Sequence, residues 1–241
     1  MSSSKLFCHR RPPEYSTGLE SCEPTTRVMA SSPWPPSSGL TTVVVPRESV
    51  ILPTHASIAI DAPASLVWKI LTNMNNYPEW NSFCPKVTIR SQPEGVDSSD
   101  PSVHLGTSFI FHVVMDSKKP TSYTDTQLRV LDISTPDQPS SYIPQTTLDS
   151  EPAFASDLSK LYRISWTTEG GFVARGLKSE RFHEIIVVGE DSCSVRTWEC
   201  QGGSLARVVK WMYKDTLREK FKDWCEDLKR ESEKQFQEMG Q

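Results

Sequence analysis

Ile58-Ala-Ile-Asp-Ala-Pro-Ala-Ser-Leu-Val-Trp68-Lys-Ile-Leu-Thr-Asn-Met-Asn-Asn-Tyr77-Pro-Glu-Trp80-Asn-Ser-Phe83 is the stretch on which the fold turns. His55 to Asp61 alternates in the manner of a strand. Pro63 suits the first turn of a helix, where its missing N–H is no loss. Val67, Ile70, Leu71 and Met74 then fall at i, i+3, i+4 and i+7, one face of a helix. Tyr77-Pro78 is expected to end that helix, because a residue before proline avoids the α region. Trp80 to Phe83 is expected to add a second short turn.

Downstream, segments with period-two alternation follow one another. Lys86 to Ser91, Leu105 to Met115, Tyr123 to Ile133, Leu158 to Thr168, Glu180 to Gly189 and Cys193 to Gln201 read as strands. The last two form a hairpin over Glu190-Asp-Ser. With the first strand this gives about seven strands and an antiparallel pattern. In the third, Phe109, Phe111, Val113 and Met115 share a side and His112 points the other way. In the fourth, Leu128 and Val130 are expected on one face, Leu131 and Ile133 on the other. A helix from about Ser204 to Met239 closes the chain, with Ser204 as its expected N-cap after Gly202-Gly203. Leu205, Val208, Val209, Met212, Tyr213, Leu217, Phe221, Trp224 and Leu228 trace its apolar stripe. The expected fold class is therefore α+β: a curved seven-stranded antiparallel sheet, two short helices and one long C-terminal helix.

Two segments resist this reading. Residues 1–48 are rich in Ser, Pro and Thr, a composition that does not bury enough apolar area to offset chain entropy, so they are expected to be a disordered tail. A transit peptide built on Arg10, Arg11 and Arg27 is the alternative, and Glu14, Glu20 and Glu23 count against it. Residues 134–157 carry four prolines and no periodicity, and are expected to be a mobile insertion. The domain proper then spans residues 54–238. The formal net charge of -4 and the lack of a basic cluster argue against nucleic acid as a partner. The six cysteines include no C-x-x-C pair, so no metal site is expected. Ile185 to Val188 is the longest late apolar run, too short for a transmembrane segment. A cytoplasmic protein with reduced thiols is expected, with mitochondrial targeting as the alternative. Oligomeric state is not legible.

Ala62-Pro63, Val67-Trp68, Leu71 and Tyr77-Pro-Glu-Trp80-Asn81-Ser-Phe83, followed by Trp166, Gly176, Arg181-Phe182, Arg196-Thr197-Trp198-Glu199 and Gly202, resemble the SRPBCC or START-like superfamily. This helix-grip group includes Bet v 1, polyketide cyclases and coenzyme Q-binding START proteins. The resemblance covers roughly residues 54–235. It departs at Asn73, where Asp is common, at Ser82, where Pro is common, and in the 134–157 insertion. It implies a helix-grip fold with a cavity between sheet and long helix. One such fold hosts many functions, so the function rests on the site.

The sequence holds no recognised catalytic set: no G-x-S-x-G, no H-E-x-x-H and no phosphate loop. Many large apolar residues without such a set point first to binding of a hydrophobic small molecule such as a lipid, a quinone or a polyketide. Trp68, Phe109, Phe111, Val113, Trp166, Trp198, Val209, Met212 and Tyr213 are the candidate cavity lining, and no cofactor is expected. The alternative is a cyclase or dehydratase of secondary metabolism, for which one or two acid/base groups suffice. Tyr213, His183 and Glu184 are the candidates. His183 and Glu184 are neighbours and point to opposite faces, so at most one lines the cavity. For His112, His183, Arg163 and Arg196 a solvated face or a local ion pair is the preferred reading. A third possibility is an interaction protein with a filled core.

Overall fold

The computed structural model describes residues 33–170 and 173–240. Its elements are β1 (Leu52–Ile60), α1 (Ala64–Thr72), α2 (Tyr77–Trp80), β2 (Lys86–Ser91), β3 (Ser108–Val113), β4 (Thr124–Ser134), α3 (Gln145–Ser150), β5 (Leu161–Thr168), α4 (Val173–Gly176), β6 (Lys178–Gly189), β7 (Ser192–Gly202) and α5 (Ser204–Met239). One seven-stranded sheet runs β1-β7-β6-β5-β4-β3-β2, with antiparallel neighbours throughout. Strands β2 to β7 follow chain order, and β1 closes the edge beside β7. The helix-grip architecture read from the sequence is the one observed.

Details of the elements differ from expectation. The first helix ends at Thr72, not at Tyr77. Asn73 leaves the helical region, and its side chain accepts from the Asn75 N–H to start a single 3₁₀ turn. Tyr77 then opens α2 in the helical region, with Pro78 in the first turn, where proline is tolerated. In β4 a bulge between Val130 and Asp132 shifts the register. Val130 and Ile133 therefore both pack on the inner core, and Asp132 turns to Arg163 on the far face.

The inner face of the sheet carries an aromatic core. Phe109 and Phe111 lie 4.9 Å apart, Phe111 lies 5.6 Å from both Tyr77 and Trp166, and Tyr77 donates its hydroxyl to the Leu71 carbonyl. The α1 stripe of Val67, Ile70 and Leu71 is buried against this core.

The outer face is buried as well, which corrects two expectations. Residues 33–48 are not a free tail: Leu40, Val45, Thr41 and Thr42 are buried against the sheet. The part of the tail reading that falls on residues 1–32 lies outside the described residues. The 134–157 segment is likewise packed rather than loose, through Ile143, Leu148, Ala153 and Phe154. Phe182 of β6 and Trp198 of β7 stack at 5.0 Å, Phe154 packs on both, and Trp34 meets Trp198 edge-on at 5.8 Å. The Trp198 indole donates to the Thr41 carbonyl at 3.0 Å. Glu180 ties both segments to the sheet: it accepts from the Val44 N–H at 2.8 Å, the Tyr142 hydroxyl at 2.9 Å and Ser165 at 3.0 Å. A few aromatics and one shared carboxylate thus fix segments whose overall composition is that of disorder.

Among the described residues no helix is long and apolar enough to cross a membrane. Trp198→Ala is expected to lower the unfolding free energy by roughly 3–5 kcal/mol, the cost of truncating a buried tryptophan. Denaturant titration checks this, and a loss under about 1 kcal/mol would mean that the outer layer is peripheral to stability.

Candidate functional site

The site follows from how α5 leaves the sheet. Gly203 has φ 89°, and a Cβ there would stand 2.6 Å from the Gly176 carbonyl oxygen, so only glycine lets β7 turn directly into α5. Gly203 is also the N-cap, and Ser204 is the first helical residue rather than the cap. The helix then runs back over the inner face. From Leu217 onward its stripe is closed: Leu217, Phe221, Trp224 and Leu228 are buried. Phe221 lies 6.5 Å from Phe83, and Trp224 lies 6.0 Å from Trp80. Before Leu217 the helix stands off the sheet, and Val208, Trp211 and Met212 are exposed. The expected unbroken stripe is thus divided in two.

Beneath the standing-off half lies a cavity of about 350 Å³. Val209, Tyr213 and Leu217 form its roof, and Phe83, Val113, Met115, Leu128, Trp166 and Leu177 its apolar walls. Its floor is polar: Ser179 and Arg181 come from β6, Glu199 and Gln201 from β7. Gln127 and Glu169 reach one end.

Arg181 sits where the cavity meets the closed core. Its guanidinium lies 4.0 Å from the Phe221 ring centroid and 5.1 Å from that of Trp224, and its Nε donates to Thr197 Oγ1 at 3.2 Å. Its Nη2 is buried with no hydrogen-bond partner among the described residues. Burial pulls its pKa below the usual arginine value, and the surrounding Cys84, Glu199 and Cys225 pull it back up. Glu199 stands directly opposite Arg181 across the β6–β7 ladder and accepts from Gln201 Nε2 at 2.9 Å. Burial pushes the Cys84 and Cys225 thiols up to about 12, so neither offers a thiolate near neutrality. Among the described residues no group of three His, Cys, Asp or Glu is placed to hold a metal ion.

Residues 60–204 match the family model described as polyketide cyclase / dehydrase and lipid transport. The chain belongs to that family, within the SRPBCC superfamily. It is 32% identical over 177 residues to the oxopyrrolidines biosynthesis cluster protein O of Penicillium oxalicum (strain 114-2 / CGMCC 5302), covering 71% of this chain and 82% of that protein. Two solved structures share the fold. A hypothetical protein from Helicobacter pylori is 10% identical with a TM-score of 0.54, over 80% of this chain and 98% of its own. A START superfamily protein from Mycobacterium smegmatis is 15% identical with a TM-score of 0.50, over 76% of this chain and 98% of its own.

In this polyketide cyclase / dehydrase family member the candidates read from the sequence scatter. Val113, Trp166, Val209 and Tyr213 line the cavity. Phe109 and Phe111 lie behind Trp166 in solid core, and Trp68 packs on Tyr162 at 5.7 Å. Met212 is 52% exposed on the outside of α5. Trp198 faces the outer layer, because β7 presents Glu199 and Gln201 inward and the alternate positions outward. Arg196 shares the Trp198 face and lies over the Trp34 ring at 5.5 Å. His183 is inward but under the floor, sandwiched between the Trp166 and Trp224 rings at 4.4 and 4.5 Å. Among the described residues neither of its ring nitrogens has a hydrogen-bond partner. Burial first, and the Arg181 charge second, hold its pKa well below the usual value, so it is neutral. Glu184 faces outward and accepts from the Ala155 N–H at 3.1 Å. His112 also points outward, to Asp125 and Thr88. Of the three acid/base candidates, only Tyr213 reaches the cavity.

Arg181, Glu199 and Gln201 were not among the sequence candidates. Hairpin counting alone misses the pair: a turn at Glu190-Asp191 sets Gly189 opposite Ser192 and would set Arg181 opposite Cys200, and only the bulge between Val187 and Gly189 shifts the ladder so that Arg181 meets Glu199.

Glu184 generates a pH prediction. Burial pushes its pKa up to about 7; Arg163, the Ala155 N–H and Arg196 oppose the shift, and Asp132 adds to it. Arg163 holds Asp132 at 2.8 Å and Glu184 at 3.8 Å. In the unfolded chain a glutamate titrates near ~4.3. Between those values the native state binds a proton that the unfolded state lacks, so this group's contribution is fullest at low pH and is lost as pH rises to about 7. Urea titrations at about pH 5 and pH 8 are expected to show Glu184→Gln gaining stability relative to wild type at the higher pH. A difference that does not change with pH would contradict this.

Proposed function

We propose that this chain binds a hydrophobic small molecule in the cavity between α5 and the sheet. One observation carries the reading: the apolar roof residues Val209, Tyr213 and Leu217 cover a 350 Å³ space rather than filling it. That volume falls at the small end of the ~300–1,000 Å³ typical of ligand sites, and apolar walls with a few convergent polar groups are their usual lining. Membership in a family described by both cyclisation and lipid transport supports the reading. So does a relative named for an oxopyrrolidine biosynthesis cluster. The ligand class is that of lipids, quinones or polyketide-like metabolites.

A second reading, a cyclase or dehydratase, draws on Tyr213 and Glu199 lining the same apolar cavity. A flexible polyketone held there would meet a hydroxyl and a carboxylate able to move protons between carbon and oxygen. For general acid/base groups of this kind, Tyr213→Phe and Glu199→Gln are expected to slow turnover of a linear polyketone about 10²-fold or more. Full turnover in both variants would remove this reading and leave the first.

Nile red, a neutral apolar dye, is expected to brighten on binding the wild-type protein. Val209→Trp places an indole in the space, and is expected to weaken dye affinity at least about tenfold without loss of stability. In a solidly packed core the same change would destabilise by about 1–3 kcal/mol. A dark wild-type titration, or a Val209→Trp variant that is destabilised yet still binds, would refute the cavity reading.

A further inference from the structure

We propose that the ligand of this cavity is polar at one end, carrying a carboxylate or similarly acidic oxygen beside an N–H or O–H donor, and that Arg181 and Gln201 receive that end. This rests on the reading of the cavity as a ligand site and specifies its occupant. The argument begins with two buried arginines in one sheet. Arg163 is fully buried and has counter-charge within the protein, Asp132 at 2.8 Å and Glu184 at 3.8 Å, although its Nη1 and Nη2 have no hydrogen-bond partner among the described residues. Arg181 is only 6% exposed, and among the described residues it enters no ion pair within 4.0 Å. A buried charge is costly unless it is paired and hydrogen-bonded. Stacking on Phe221 and the bond to Thr197 hold the guanidinium in place but leave Nη2 without an acceptor. A carboxylate matches this fork better than any neutral acceptor.

Gln201 supplies the second half. Glu199 as a carboxylate only accepts, so the Gln201 amide must turn its Nε2 toward it. That leaves Gln201 Oε1 facing away, buried and unpartnered among the described residues, in a residue that lines the same cavity. An empty donor and an empty acceptor on adjacent strands therefore call for a head group with the opposite pair. The apolar body of the molecule then lies along Trp166, Met115 and Leu128, under Val209 and Tyr213.

The test is calorimetric titration of wild-type protein with three matched probes near neutral pH: 2-naphthylacetate, its neutral amide, and its α-hydroxy acid. The acid is expected to bind at least about tenfold more tightly than the amide, the scale of a hydrogen bond to a charged group. The α-hydroxy acid is expected to gain about threefold more, the scale of a neutral hydrogen bond. Arg181→Met is expected to abolish the preference for acid over amide while keeping the amide's affinity. Gln201→Leu is expected to abolish only the hydroxyl gain. Equal binding of acid and amide by wild type would overturn the proposal without any variant, and so would an Arg181→Met protein that keeps the preference. Should Arg181→Met fail to fold, Arg181→Lys is expected to keep a reduced preference, and an undiminished one overturns the role of the fork. If neither the probes nor Nile red bind, the cavity reading itself has failed; if Nile red binds and the charge is ignored, only this inference has.

Discussion

Everything in the functional half of this molecule depends on the contact of Phe221 and Trp224 with the floor beneath them. A helix of 36 residues is about 54 Å long at ~1.5 Å per residue. It closes down only where its partners allow. Toward its C-terminal half the floor is mostly apolar, with Ile185, Cys193 and Val195 and the neutral His183 ring 4.5 Å from Trp224, and the helix packs solidly there through Trp224 and Leu228. Toward its start the floor is Ser179, Arg181, Glu199 and Gln201. Pressing Val209 and Tyr213 onto those groups would strip water from a guanidinium and a carboxylate with nothing returned. The cavity is therefore held open by its own floor. Arg181, stacked on Phe221, marks the line between the two regimes.

The inner and outer faces are both buried, and this explains what the sequence disclosed and what it withheld. Alternation told which residues share a face. Phe109, Phe111 and Val113 fell together as expected, and His183 and Glu184 were correctly separated. Alternation did not tell which face holds the void. In a half-solvated sheet the hydrophobic set marks the inside. Here β7 carries Trp198 and Cys200 on one face and Val195 and Cys193 on the other, all buried. A tryptophan therefore looked like the lining, although its neighbour Glu199 is the residue that faces the cavity. The polar residues of the cavity floor are the ones whose polarity made them resemble solvent-facing positions.

The covering layer was misread for a related reason. Proline, serine, threonine and glycine make up nine of the sixteen residues 33–48, and the average composition of that stretch is close to that of an unfolded chain. Its attachment does not come from the average. It comes from Trp34, Leu40 and Val45, from the Val44 N–H that meets the buried Glu180 carboxylate, and from Arg47 pairing with Glu151 of the insertion. A segment needs no core of its own when an existing sheet offers one. The β4 bulge is a local event of the same kind. One extra residue moves Ile133 to the inner core and frees Asp132 for Arg163, and strict period-two counting cannot see it.

The buried outer layer gives a physical reason why β6 keeps its register. This strand presents Glu180, Phe182 and Glu184 to the covering layer and Ser179, Arg181 and His183 to the inside. A slip of one residue would exchange the two sets. Glu180 and Glu184 would then lose the N–H groups of Val44 and Ala155, and Arg163 would keep a single counter-charge. Arg181 would leave Phe221 for an outer face that already holds a charge-paired arginine, Arg163. Each loss leaves a charge buried and unpaired, the most expensive outcome open to a folded chain. The outer network thus contributes less to gross stability than to uniqueness. By pinning one strand from behind, it keeps a single under-paired guanidinium facing the cavity.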